Sequence, residues 1–385
     1  MTSDVVRFEP AASAERVIAL DALRGFALFG ILCVNLLIFN YPVFFAAPLS
    51  TTGVSGVDRV VEWATRVFAE GSFYPIFSFL FGLGFALMLR KGSAFLPTFR
   101  RRLAILLVIG LIHLVFIWFG DILVAYALLG YVLLLFRKRS ARTISVWIVA
   151  LTLVTFLMQI VIFSSGGEAM DPEFSRYVTA QFASYGTTIL ANLAFMLFAL
   201  VILLVQGGQI LSLFLLGFLA GRAGLAELQP SHLPLLRRTF ILTASLGLPL
   251  TLFYGVLLWR GTVPPLLAAV DVTFGSALLG LSYLSGLALL YLRSRRAFLW
   301  TPLAAVGRMS LSNYLTQSVV MTLLFYPYGL GLAQRVGPAT ALLLALLLFT
   351  LQAVVSIVWL RYFRYGPVEW LWRSLTYKSL LPLRK

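Results

Sequence analysis

The sequence has few of the residues that build metal and redox centres. Its 385 residues include one Cys and two His. The single thiol, Cys33, cannot form a disulfide within the chain, and zinc sites need more Cys and His ligands than the chain offers. The sequence also lacks a Walker loop and the glycine fingerprint of dinucleotide-binding proteins. We therefore expect no metal centre in this protein.

Charged residues are scarce as well. They make up 11% of the chain, against 61% hydrophobic residues, and the mean hydropathy is +0.96. Soluble domains carry about 25% charged residues, so the composition indicates an integral membrane protein. We predict a cytoplasmic N-terminal segment, a transmembrane domain and a cytoplasmic interfacial tail at residues 1–18, 19–365 and 366–385.

Apolar runs that approach the thickness of a bilayer recur along the chain. They predict an all-α integral membrane protein, a bundle of about ten transmembrane helices. The predicted spans are residues 19–43, 71–89, 102–118, 121–136, 143–164, 187–221, 239–259, 265–292, 301–326 and 339–361. The run at 187–221 is long, so it is either one kinked helix or two crossings broken near residues 206–209.

The basic residues lie mainly at the ends of these runs. The formal net charge is +16, and clusters of Lys and Arg mark the cytoplasmic side of a bacterial inner membrane. With ten spans and both termini in the cytoplasm, the outside segments hold only Arg59, Arg66, Arg176, Arg260 and Arg335. Two crossings at 187–221 would weaken this bias of the basic residues toward the cytoplasmic segments, so we favour one crossing. We expect contact with membrane lipids and no nucleic acid.

The first span carries polar residues that are costly in lipid. Arg24 and Asn35 are about three helical turns apart and therefore lie close to one face of the helix. Ionisable groups at membrane depth usually face a bundle interior or a wet cavity. Arg24 either forms a local salt bridge with Asp21 or binds a phosphate or carboxylate of a cytoplasmic ligand.

His113 and Asp121 flank a very short connection between two predicted spans. If the chain reverses near residues 117–119, the two side chains reach a similar depth on adjacent antiparallel helices. A carboxylate beside an imidazole fixes its tautomer and raises its basicity, as in a general base. The pair is therefore either a catalytic base with its orienting partner or a structural bond between two helices. We expect the two side chains to lie within hydrogen-bond reach and to face a cavity open toward the outer side.

The ninth predicted span opens with a stripe of polar side chains at helical spacing. This polar stripe consists of Ser310, Asn313, Tyr314 and Gln317. It either lines a donor site or joins helices by hydrogen bonds. Asp271, in the outer half of the eighth span, is a further candidate for a cavity wall, as are Asp21 and Asn35, although contact with interfacial water also explains it.

Several blocks of the sequence resemble the YeiB family of uncharacterised bacterial membrane proteins. The blocks run through nearly the whole chain, at residues 16–27, 77–86, 110–113, 120–130, 302–315 and 366–373. The opening block, with its Leu-Asp-x-x-Arg-Gly start, also resembles two groups of membrane acyltransferases. These are the heparan-alpha-glucosaminide acetyltransferase-like and the acyltransferase-three-like families.

The acyltransferase resemblance implies a bundle in which acyl-CoA enters from the cytoplasm and a His assists transfer to an acceptor on the other side. It implies that Arg24 lies toward the donor. The acyltransferase-three pattern has a His eleven residues after this Arg. The present chain has Asn35 there, which cannot act as a general base. His113, which lies within a predicted span, takes that role in our interpretation.

These observations predict a transmembrane acyltransferase that moves an acyl group from cytoplasmic acyl-CoA to a sugar or lipid-linked acceptor at the outer face. His113 is the predicted base and Asp121 its partner, while Arg24 and the polar stripe shape the donor channel. The alternatives are a transporter of a small metabolite, in which the pair relays protons, and a non-catalytic membrane scaffold. The sequence leaves the donor, the acceptor and the oligomeric state open.

Overall fold

The fold is all-α, as predicted. The computed structural model describes residues 18–40, 56–90, 92, 95–165, 183–294 and 297–385, and this part of the chain contains no strand. Its helices are α1 (Ile18–Asn40), α2 (Gly56–Phe68), α3 (Tyr74–Leu89), α4 (Phe95–Phe116), α5 (Leu123–Leu133), α6 (Ala141–Ser164), α7 (Tyr185–Arg222), α8 (Leu233–Arg260), α9 (Pro265–Arg293, with a π-helical turn at Asp271–Gly275), α10 (Ala297–Arg308), α11 (Ser310–Phe325), α12 (Pro338–Tyr362) and α13 (Pro367–Tyr377).

Six of these helices contain a segment long and apolar enough to cross a membrane, namely α1, α6, α7, α8, α9 and α12. The other predicted spans are helical too, but they do not meet this criterion. Helices α3 and α5 are shorter apolar helices. Helix α4 carries three consecutive arginines at residues 100–102, and the run at 301–326 is divided between α10 and α11 at Met309. The chain is thus a multi-pass membrane protein with six candidate spans among the described residues.

Local sequence sets several helix ends. The hydroxyl of Ser140 accepts a hydrogen bond from the Thr143 amide at the start of α6. Ser184 and Thr187 form a reciprocal capping box at the start of α7. Helix α8 ends at Arg260 and is followed by Gly261, whose φ of 69° suits a residue without a Cβ. These residues each set one end of a helix.

The long run at 187–221 forms one continuous helix. Helix α7 has 38 residues and is therefore about 57 Å long, well beyond the thickness of a hydrocarbon core. Only its second part, Ala199–Arg222, is a candidate span. Within it, a Cβ at Gly208 would lie 2.6 Å from Thr155 Oγ1, so this glycine lets α7 approach α6 closely.

Helix α1 lies nearer the centre of the bundle than the other candidate spans. Two-thirds of its apolar window is buried inside the protein, against 11% for the peripheral helix α6. Helix α1 crosses α10 at backbone contact. A Cβ at Gly307 would lie 1.8 Å from the Asp21 carbonyl oxygen, and one at Gly25 would lie 2.0 Å from the Leu303 carbonyl oxygen. The two glycines therefore determine how closely the two helices pack.

The tail helix α13 is bound to the rest of the protein. Trp372 donates its indole N–H to the Arg102 carbonyl at 2.9 Å, and Arg101 donates to the Thr376 carbonyl at 2.7 Å. The tail carboxylate Glu369 accepts hydrogen bonds from the first turn of α11. The sequence predicts that this segment lies at the membrane interface. The contacts show that it also packs against the rest of the protein.

The α1–α10 crossing gives a prediction for stability. We expect Gly307→Ala to destabilise the protein by about 1–3 kcal/mol or more, because the added methyl group meets backbone that cannot move aside. Gly84 provides a matched control, since a Cβ there would meet nothing within 4 Å. Gly84→Ala should be neutral or stabilise by up to about 1 kcal/mol through helix propensity.

Thermal unfolding of the two variants in detergent measures the difference. Equal unfolding temperatures for Gly307→Ala and Gly84→Ala would show that the close crossing does not contribute to stability.

Candidate functional site

The candidate site centres on a hydrogen bond across the α4–α5 connection. His113 lies in the last turn of α4, where its carbonyl accepts the amides of Ile117 and Trp118 at 2.9 Å each. The chain then turns and begins α5 at Leu123. His113 Nδ1 lies 2.8 Å from Asp121 Oδ2. The predicted hydrogen bond between these side chains is therefore confirmed, whereas their catalytic roles stay predictions.

Asp121 holds the imidazole in one orientation. Its second oxygen, Oδ1, accepts the Val124 amide at 2.8 Å in the first turn of α5, where a negative charge is also favoured by the helix dipole. With Asp121 ionised, Nδ1 of a neutral imidazole carries the proton and Nε2 has the free lone pair. Nε2 is buried and makes no hydrogen bond with any described residue. This is the arrangement of an oriented base.

The pair is closed off from solvent. The His113 and Asp121 side chains are each 0% exposed. The ring of Tyr314, from α11, packs on the imidazole with centroids 5.1 Å apart. We expected a cavity open to the outer side, and the described residues form no such opening at the imidazole. The packing of α11 on the α4–α5 hairpin explains this difference.

The polar stripe divides into two parts. Asn313 donates to Ser356 Oγ at 3.0 Å, and Gln317 donates to Gln352 Oε1 at 2.9 Å. Gln352 in turn donates to the Asn313 carbonyl at 3.0 Å. These amides join α11 to α12, which is the alternative role that the sequence allowed. Tyr314 instead contacts His113, and Ser310 is half-buried at the start of the helix.

Arg24 forms the local salt bridge that its spacing allows. Its guanidinium lies 2.7 Å from Asp21 Oδ1, Asp21 is buried, and the Arg24 side chain is 29% exposed. Asn35 is half-buried and makes no side-chain hydrogen bond with another described residue. Asp271 lies in the π-helical turn of α9 and is 5% exposed. No described contact joins Asp21, Asn35 or Asp271 to the His113–Asp121 pair.

The structure adds two arginines that the sequence reasoning treated only as topology signals. The guanidinium of Arg102, in the N-terminal part of α4, is repelled by those of Arg373 and Arg24. Arg102 lies over the Trp372 ring at 3.9 Å, and Arg373 lies over the Tyr365 ring at 4.9 Å. We call Arg24, Arg102 and Arg373 the arginine cluster. The adjacent Trp372 and Arg373 of the tail were the sequence signal that could have pointed to this cluster, because aromatic rings often stack on guanidinium groups.

The sequence also did not identify Glu369 as a candidate site residue. Its Oε1 accepts the amides of Leu311 and Ser312 at 2.7 and 3.0 Å, and its Oε2 accepts the Ser312 hydroxyl at 2.5 Å. Burial raises the pKa of Glu369 above its ordinary value, while these hydrogen bonds act in the opposite direction. A carboxylate from the tail thus caps the helix that carries Tyr314. Its sequence position, 57 residues after Ser312, hides the contact.

The fold and this site define a multi-pass, all-α membrane protein with a buried His–Asp pair. Residues 220–379 match a family model described as a protein of unknown function, DUF418. The chain is 34% identical to the uncharacterised protein YxaH of Bacillus subtilis (strain 168) over 98% of each chain. It is 29% identical to the uncharacterised protein YeiB of Escherichia coli (strain K12), over 96% of this chain and 98% of that one.

A third relative is an uncharacterised 39.9 kDa protein in the amylase 3′ region of Bacillus acidopullulyticus, 30% identical over 97% of this chain and 98% of its own. No solved structure matches the chain. Since these similarities cover nearly its whole length, the chain belongs to the YeiB family, as its sequence blocks predicted. The resemblance to acyltransferases stays a prediction.

The contact between the tail and α11 gives a second prediction. Glu369→Ala should lower the free energy of unfolding by about 2 kcal/mol or more, because it leaves buried amides of α11 without an acceptor. The control is Glu227→Ala, which breaks an exposed ion pair with Arg90 and should cost less than about 1 kcal/mol. Thermal unfolding in detergent and proteolysis of the tail measure both effects. An equally protected tail in Glu369→Ala would contradict the capping role.

Proposed function

We propose that this protein is a transmembrane acyltransferase that uses cytoplasmic acyl-CoA as donor and a hydroxyl or amine of an outer-face or lipid-linked sugar as acceptor. The single observation that carries the proposal is the oriented imidazole of His113. Its Nδ1 is held by Asp121 at 2.8 Å, while its Nε2 is buried without a hydrogen bond to any described residue. An unsatisfied buried nitrogen costs stability, and a catalytic role is one of the explanations for such a group in a folded protein.

The chemistry assigned to the pair is general acid–base catalysis. Nε2 accepts the proton of the acceptor hydroxyl or amine as that group attacks the thioester carbonyl. The bond between the acyl carbon and sulfur then breaks, and the protonated imidazole returns the proton to the departing CoA thiolate. Asp121 stabilises the imidazolium between these two steps. The products are an acylated acceptor and free CoA.

The arginine cluster supports a phosphate-bearing donor. The guanidinium groups of Arg24 and Arg373 both interact electrostatically with that of Arg102, and Asp21 forms a salt bridge with Arg24. Guanidinium groups bind phosphate oxygens well. Arg102 and His113 lie on the same helix about 16 Å apart along its axis. That spacing suits a donor whose phosphates and thioester occupy opposite ends of a flexible arm.

The burial of His113 sets a condition on this reaction. Since the imidazole is wholly enclosed, the acceptor reaches Nε2 only after Tyr314 or its neighbours move. The same enclosure favours a second candidate, a transporter of a small metabolite in which the His–Asp pair relays protons between an open and a closed state. The two candidates differ in their product, because an acyltransferase leaves the acyl group of CoA attached to an acceptor and a transporter does not.

The function is tested with membranes that contain the protein and labelled acetyl-CoA as donor. We expect wild type to transfer the label to a membrane or outer-face fraction and His113→Gln to lose two to four orders of magnitude in rate, the usual weight of acid–base catalysis. His232→Gln is the matched control, because His232 lies in a polar turn before α8. Transfer that survives His113→Gln, or wild-type membranes that transfer no label, would contradict the proposal.

Donor binding gives an independent readout of the same proposal. Arg24→Lys should weaken binding of CoA more than it lowers thermal stability, because an ammonium group replaces a guanidinium that can bind a phosphate through two N–H groups. Parallel losses of binding and stability would instead mark Arg24 as a purely structural partner of Asp21.

We further propose about ten spans, counting α3, α4, α5 and the α10–α11 segment, with both termini in the cytoplasm of a bacterial inner membrane. The distribution of Lys and Arg supports this topology. Reporter fusions after Lys385 and within residues 166–182, which lie outside the described part of the chain, test it. We expect an inside signal at the C-terminus and an outside signal in the loop, and either signal reversed would overturn the topology.

A further inference from the structure

The tail helix α13 has polar side chains on its inner side and leucines on its outer side. Glu369, Ser374 and Thr376 are 7%, 7% and 2% exposed. Leu371 and Leu375 are instead 46% and 49% exposed. A helix at the water-exposed surface of a protein has the opposite arrangement, with its apolar side toward the core. The outer side of α13 therefore suits apolar surroundings and not water.

The exposed residues of α13 lie on one face of the helix. Pro367, Leu371 and Leu375 follow each other at intervals of four residues, and Lys378 comes three residues later. Side chains three and four residues apart are neighbours on a helix. Leu380, just beyond the helix, is 83% exposed. We call Leu371, Leu375 and Leu380 the tail leucines.

Hydrogen bonds on the opposite side of α13 hold this face outward. Glu369 accepts the amides of Leu311 and Ser312 at 2.7 and 3.0 Å. The indole N–H of Trp372 donates to the Arg102 carbonyl at 2.9 Å. The tail leucines could turn toward the protein only if these bonds broke, which would leave polar groups without partners. Their exposure therefore follows from the way in which the tail is bound.

The tail begins where a candidate span ends. Helix α12 is such a span and ends at Tyr362, and α13 begins at Pro367. The five Cα–Cα steps between them reach at most about 18 Å, so α13 begins near the level at which α12 leaves the bilayer. A helix with one apolar face in this position lies in the interface with that face toward the acyl chains. The tail leucines thus have lipid within reach.

The charges of the tail select the kind of lipid. Residues 361–385 contain six basic residues, and their only acidic residue is Glu369, which is bonded to α11. Four of the basic residues are exposed, and their side chains form no hydrogen bond or salt bridge with any described residue. They are Arg361, Arg364, Lys378 and Arg384. Clusters of Lys and Arg beside a transmembrane helix attract anionic lipid headgroups.

We propose that residues 361–385 dock on a bilayer of anionic phospholipids. The tail leucines insert between the acyl chains, and the exposed basic groups pair with the phosphate groups of the lipid. The sequence predicts only that this segment lies at the interface, whereas the inverted helix and its exposed basic groups select an anionic surface. Because Glu369 and Trp372 join the tail to α11 and α4, this surface is linked to the helices that enclose His113.

Hydrogen–deuterium exchange of the full-length protein in nanodiscs tests the proposal. The nanodiscs contain phosphatidylcholine alone or mixed with phosphatidylglycerol. We expect the amides of residues 367–378 to exchange about tenfold more slowly, or slower still, in the anionic nanodiscs, because each basic group near an anionic surface contributes a factor of about five. High salt should reduce the difference, since it screens exposed charges.

Charge variants separate the tail from the rest of the basic surface. Three substitutions in the tail should together abolish most of the lipid-dependent difference, namely Arg364→Gln, Lys378→Gln and Arg384→Gln. The matched control removes the same charge from exposed residues near the start of α6 and should keep the difference, through Lys138→Gln, Arg139→Gln and Arg142→Gln. Equal exchange of the wild-type tail in the two kinds of nanodisc, or an equal loss in both triple variants, would overturn the proposal.

Insertion of the tail leucines is measured with a fluorescent label on Leu375→Cys. The native Cys33 is buried and should not react. A nitroxide attached to the lipid should quench the label, and iodide in the water should not. Ser231→Cys, in the exposed turn before α8, is the control and should show the reverse.

A label at position 375 that iodide quenches as strongly as one at position 231 would overturn the insertion and leave the tail leucines to a protein partner. None of these measurements involves acyl transfer, so this proposal and the proposed function fail separately.

Discussion

The hydrogen bond between His113 and Asp121 is the interaction on which the geometry of the site depends. An imidazole or a carboxylate left alone in an apolar bundle costs at least about 1–3 kcal/mol, and more when charged. His113 and Asp121 avoid this cost because they bond to each other, at 2.8 Å across a short connection. Asp121 also binds the first turn of α5. The same bond therefore fixes the α4–α5 hairpin and orients the base.

The two helices that carry the site are also the helices that hold the tail. Glu369 caps α11 at Ser312, one-half turn before Tyr314, whose ring packs on His113. Trp372 bonds to the backbone of α4 at Arg102, on the helix whose last turn carries His113. The tail thus connects the basic N-terminal part of α4 to the enclosed pair. A change in tail docking would act on the two surfaces that enclose the imidazole.

Much of this arrangement could be predicted from short-range sequence patterns. The contacts Asp21–Arg24 and His113–Asp121 depend on a helical period and on a tight hairpin, and the structure has both. The helical nature of every predicted span followed from apolar runs. The number of crossings did not, because α3 and α5 are too short to be judged as spans by length and composition alone.

The long-range parts of the site could not be predicted from one sequence. Glu369 bonds to Ser312 across 57 residues, and Arg102 meets Trp372 across 270. Contacts between residues so far apart in the sequence leave no periodic pattern from which they could be predicted. The amides of the polar stripe had two equally good physical interpretations in the sequence, and their hydrogen bonds to partners on α12 depend on packing that one sequence does not show. The enclosure of His113 likewise depends on how α11 packs against the α4–α5 hairpin.

The central claim is that His113 is the base of an acyl transfer whose donor enters past the arginine cluster. An experimental structure of the protein with a non-hydrolysable acyl-CoA analogue tests it most directly. We predict density for the donor phosphates at Arg24, Arg102 and Arg373, and the acyl carbonyl within reach of His113 Nε2. A donor bound elsewhere, or an unchanged enclosed His–Asp pair with no donor at saturating concentration, would contradict it.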